Sequence, residues 1–160
     1  MSDQTNEWQN WLNAASAAEV FEQSLPELRM DRAATLSAAR RALANVETRR
    51  EALFIIGSLS TDFTSPLVDD LLDIALSDRD TLRVRNLLGR LPHAEAGDII
   101  PEAVGRLLHK EDDGYAYRRM AELLHHLGLA VALQTLCEQA RDHIDAEVRE
   151  VDQDFRFSLG

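Results

Sequence analysis

Ile55-Ile56-Gly57-Ser58-Leu59 returns 32 positions later as Leu87-Leu88-Gly89-Arg90-Leu91, and each copy closes an apolar helical pattern. Aligning Gly57 with Gly89 lays Ala52 on Val84, Ile55 on Leu87, Ile56 on Leu88 and Leu59 on Leu91. A third copy, 36 positions further on, supplies Met120, Leu123, Leu124 and Leu127. Each set reads i, i+3, i+4, i+7, which is one face of an α-helix. Self-similarity at this period is the mark of stacked helix pairs, so the spacing predicts an all-α fold, a right-handed α-solenoid of antiparallel helix pairs. Such a fold offers an extended binding surface and by itself names no partner and no reaction.

Cap and turn residues divide the chain into short helices. Ser16-Ala17-Ala18-Glu19, Ser24-Leu25-Pro26-Glu27 and Thr48-Arg49-Arg50-Glu51 have the capping-box form, in which hydroxyl and acid satisfy free backbone donors at a helix start. Ser65-Pro66 reads as an N-cap followed by proline at the first helical position, and Asp80, Asp98 and Asp145 are further candidate caps. Pro92 and Gly128 stand where helices stop. The expected elements are helices over 5–15 and 17–24, then hairpins 32–44 with 48–59, 66–77 with 80–91, 98–109 with 115–127, and 129–142 with 145–156. At 160 residues this is one domain, 1–160, with 1–28 as an N-terminal capping pair. Trp8 and Trp11 share one side of the first helix, and their expected task is to cover the open end of the apolar core.

The composition narrows the function. The chain is 45% hydrophobic and 28% charged, only 6% aromatic, and carries a net charge of -11. That balance is globular and helix-favouring, and it opposes nonspecific attraction to nucleic acid or to an anionic membrane. Cys137 is the single cysteine, which excludes an intrachain disulfide and a cysteine-based zinc site and suggests a small core residue. The first residues lack a basic region followed by an apolar run, and no stretch approaches the length of a membrane span, so the expected location is cytoplasmic.

The second helices resemble those of HEAT-type repeats, whose short pattern runs Val-Arg, an alanine, then Leu-Gly-x-Leu. Thr48-Arg49, Ala52 and Ile56-Gly57-Ser58-Leu59 carry the likeness, and Val148-Arg149 after Asp145 resembles the start of a fourth copy. The resemblance covers roughly 32–156 and departs from the pattern at Thr81, His125 and Asp152. It implies a domain that binds proteins, as most of that group do, although a minority are enzymes or bind nucleic acid.

Chemistry-bearing clusters are few. Glu122, His125 and His126 lie within about one helical turn and could begin a metal site, but the local sequence lacks a third ligand. The HEAT-like di-iron hydroxylases use His-Glu dipeptides, of which this chain has none. Neither metal nor cofactor is therefore expected. Nucleophile elbow, P-loop and dinucleotide signatures are missing from the sequence. The acids Asp69, Asp70 and Asp73, and Glu111, Asp112 and Asp113, read as exposed helix and loop surface rather than acid/base pairs.

Charge placement says more than charge total. Segments 48–59, 80–91 and 115–127 carry +1, +2 and +1, together +4, against -15 for the rest. With the apolar stripe inward, Arg83, Arg90, Arg119 and His126 take equivalent exposed positions beside Asn86 and Glu122, a ladder across one face, the concave one in a solenoid. Salt bridges to neighbours such as Glu51 and Glu122 are the alternative use of these arginines. The function expected from all this is a non-catalytic protein-binding module, an adaptor or an inhibitor such as an immunity protein that neutralises a toxin. The rival is binding of nucleic acid or another polyanion on the arginine face, as in HEAT-like alkylpurine DNA glycosylases, which would want a more basic face with aromatics besides Phe54. The expected partner is another protein, with neither membrane nor small molecule implied.

Overall fold

The computed structural model describes residues 2–159, with side chains over 6–157. Those residues form nine α-helices and no strand: α1 (Ser2–Met30), α2 (Arg32–Ala44), α3 (Arg49–Ser58), α4 (Val68–Ala75), α5 (Thr81–Leu88), α6 (His93–Lys110), α7 (Gly114–His126), α8 (Ala130–Arg141) and α9 (Ala146–Phe155). Short 3-10 turns, Thr61–Phe63 and Ser65–Leu67, lead into α4, and another, Arg156–Leu159, follows α9.

Local chemistry explains the boundaries. Asp31, Asp113 and Asp145 each cap a helix, accepting from the backbone N–H of Ala34, Ala116 and Glu147. Gly128, at φ +69°, ends the α7 stretch in the left-handed region that glycine enters without penalty. Two of the expected capping boxes are spent differently. The Ser24 hydroxyl donates back to the Val20 carbonyl at 2.8 Å, and the Thr48 hydroxyl to that of Ala42 at 3.0 Å.

The N-terminal region corrects the expected pair of short helices. Residues 5–15 and 17–24 belong to one continuous α1, which even runs through Pro26. The alanines at 14, 15, 17 and 18 favour helix across the supposed break, with no glycine to interrupt it. Further along, α6 begins at His93 rather than 98, so Asp98 is an interior helical residue and not a cap.

The repeated stripe forms the core. Ala52, Ile56 and Leu59, then Val84, Leu87, Leu88 and Leu91, then Met120, Leu123 and Leu124 are all buried. Ile55 and Leu127 pack partly buried against them. Helix α2 packs on α3 and α4, α4 on α5 and α6, and α3 on α5, while α7, α8 and α9 pack mutually. Leu25 and Leu28, near the end of α1, join this core. The acids of α4 are tied to its neighbours: Arg40 to Asp70 at 3.5 Å, Arg106 to Asp69 at 3.0 Å and Lys110 to Asp73 at 4.0 Å.

Candidate functional site

The expected ladder lies on α5, the turn that follows it and α7, whose apolar stripe is buried. Arg83, Asn86, Arg90 and His126 are exposed, as an interaction face requires. Arg83 stays close to its own helix, 3.4 Å from the buried carboxylate of Asp80. Arg90 crosses to α3, donating to the carbonyls of Gly57 and, at 3.0 Å, Leu59. In that position it neutralises the negative end of the α3 dipole and occupies backbone acceptors left free at the helix end. The paired glycine motifs meet here too, since a Cβ on Gly57 would lie 3.4 Å from Leu87.

Arg119 and Glu122 correct the expectation of exposure. The Arg119 side chain is only 16% exposed. Its guanidinium packs over the Tyr115 ring at 5.4 Å, lies 3.3 Å from Glu122 and pairs with Asp78 in the loop before α5. Half-buried Glu122 also takes Arg85, at 3.5 Å. The tyrosine adds a strap of its own, its hydroxyl donating to the Leu76 carbonyl at 2.5 Å. Arg85 and Asp78 were invisible as site residues because their contacts join different elements. Within α7, the i, i+3 relation of Arg119 to Glu122 and the i, i+4 relation of Tyr115 to Arg119 have a local signal.

The guanidiniums of this face are thus largely answered from within the chain, with carboxylates on Arg83, Arg85 and Arg119 and carbonyls on Arg90. Beside these polar groups, the face also leaves large apolar side chains in water. Phe54 of α3 is 64% exposed, Leu82 of α5 66% and Tyr115 of α7 51%. Phe54 meets Phe21 of α1 at a ring separation of 5.3 Å. Aromatic and aliphatic side chains among neutralised arginines have the composition of a protein contact surface.

Other reactive groups are tied up in packing. Burial pushes the Cys137 thiol up from its ordinary value, and does the same to the Tyr117 phenol. Burial also raises Asp70, against the opposing pull of Arg40. His125 and His126 are exposed at the end of α7, where the ring of His125 meets the edge of Phe155 at 6.4 Å. Glu122 is engaged with the arginines instead of the histidines. Among the described residues, no three His, Cys, Asp or Glu side chains are grouped so as to hold a metal ion, and no helix is long and apolar enough to cross a membrane. Trp8 and Trp11 do not cover the core. They stack on each other in solvent, contrary to the expectation from sequence.

Set against models of protein families, characterised proteins and solved structures, the chain gives no significant match.

Proposed function

We propose that this chain is a short HEAT-like α-solenoid acting as a non-catalytic protein-binding module, an adaptor or inhibitor of the cytoplasm, with α3, α5 and α7 as its contact face. The observation that carries this reading is the exposure of Phe54, Leu82 and Tyr115 among arginines already paired within the chain. Apolar side chains left in water gain from burial against a partner, whereas paired guanidiniums have little charge to offer a phosphate. The solenoid reading draws support from the packing of like on like, α3 on α5 and α2 on α4 on α6. Arg90 reaching from one second helix to the preceding one adds to it.

Affinity capture from the native host, with wild type and a Leu82→Asp, Arg83→Glu double variant as baits, tests the proposal. Both positions are exposed, so the variant should keep its helical circular dichroism and lose the protein that wild type retains. Equal retention by both baits would remove α5 from the interface. Titration with duplex DNA at physiological salt separates the rival reading: no complex is expected at micromolar protein, and a sub-micromolar, salt-sensitive complex would overturn the proposal.

A further inference from the structure

Between α6 and α8 runs an apolar groove of about 630 Å3. Gly97, Pro101 and Gly105 line one side of it, Leu129 and Val131 the other. A Cβ built on either glycine meets no atom within 4 Å, so the groove is open along that side. It lies in the size range of sites that take a ligand or large side chains, about 300–1,000 Å3.

The opposite end of the chain carries a feature of complementary kind. Every residue from Asn6 to Val20 is exposed, so about 22 Å of α1 stands clear of the core as an arm. On it Trp8 and Trp11 stack with centroids 5.3 Å apart and planes 2° from parallel, each still 60% exposed. Large paired aromatics held in water mark a contact surface.

We infer that the Trp8–Trp11 pair of one copy docks into the α6–α8 groove of a second copy. Charge favours a like partner despite the net -11. Trp8 through Ala18 is an uncharged run of eleven residues between Glu7 and Glu19, in a chain that is 28% charged, so the docking segment brings no repulsion of its own. Area fits a weak self-association. Indoles of about 150–250 Å2 that are 60% exposed bury about 200–300 Å2 per arm, with a smaller area of groove wall. Two reciprocal contacts then bury less than ~1,200 Å2, the size of a weak, concentration-dependent interface. Closed two-fold exchange is the commonest arrangement that uses both. Apart from Leu124 of α7, a buried residue that also lines the groove and is no part of the proposed binding face, the contact uses none of α3, α5 and α7, so the two readings are tested at different residues.

Trp8 and Trp11 are the only tryptophans, so intrinsic fluorescence reports on the arm alone. Sedimentation velocity over a concentration series should show wild type at the mass of two or more chains, with an emission maximum that moves to the blue as association proceeds. A Gly97→Leu, Gly105→Leu variant fills the groove with helix-favouring residues, and Val131→Glu charges its exposed rim without touching the core. Both should remain helical, associate at least about ten-fold more weakly and keep water-like emission, as should Trp8→Ala, Trp11→Ala in its sedimentation. A wild type that stays monomeric at all concentrations overturns the inference and leaves the groove to some other ligand. Association with blue-shifted emission that survives both groove variants also overturns it, because the arms would then be pairing with each other.

Discussion

Leu88 has no exposed surface and lies in the middle of the repeated stripe. Leu88→Ala should therefore cost about 2–5 kcal/mol in denaturant unfolding, by lost transfer energy and the cavity left behind. An unchanged midpoint would mean that the stripe is misassigned. Asp152 shows the polar counterpart. It is a buried carboxylate whose Oδ2 takes Arg156 and, at 3.3 Å, Arg141, while Oδ1 is buried without a partner. The hydrogen bond from Arg156, helped by Arg141, outweighs burial and holds its pKa below the ordinary 3.8. A depressed carboxylate stabilises the fold while ionised, so its contribution is full above 3.8 and fades as pH falls through the lower folded value. Asp152→Asn should cost about 1–3 kcal/mol near neutrality. The gap from wild type should close in acid, and a gap independent of pH would refute the ionic account.

At the scale of the element, two helical glycines have opposite reasons to be there. Gly114, at the first position of α7, is buried against α9, and a Cβ there would fall 2.5 Å from the Cβ of Glu147 and 3.1 Å from its backbone carbon. Gly105 faces open space in the middle of α6. Gly114→Ala should lower the melting temperature, because α7 and α9 must part to admit the methyl. Gly105→Ala should stabilise by about 0.5–1 kcal/mol through helix propensity alone. Equal effects from the two variants would show that the α7–α9 approach is looser than it stands here. The helices themselves differ in what sustains them. Most bury a stripe, whereas the first two thirds of α1 rest on alanine-rich propensity and on continuity with the docked turns at Leu25 and Leu28.

The molecule as a whole is a packed body with a helical arm. Since Asn6 to Val20 bury no side chain, deleting residues 2–18 should leave the melting temperature within a few degrees when measured at low concentration, where association adds nothing by mass action. A large loss of stability would place the arm against the body. The all-helical class, the helices from Arg32 onward to within a few residues apart from the early start of α6, and the buried stripes from Ala52 to Leu124 were all legible from sequence. Period, caps and propensity act over a turn or two of chain and need no knowledge of neighbours. Cys137 was legible for the same reason, one small apolar residue beside Leu133 and Leu136 on a buried face. The candidate site was legible only in part: Arg83, Asn86, Arg90 and His126 are exposed as their register requires, but Arg119 is folded under Tyr115 and Asp78. Asp78 for Arg119, like Glu122 for Arg85 and Asp69 for Arg106, comes from another element, 37 positions away in the two latter cases. Ion pairs of that kind depend on distances between helices, which no local pattern encodes. Tertiary structure alone therefore decided which charges are neutralised, where the α6–α8 groove lies open, and that the two tryptophans stand in water instead of closing the core.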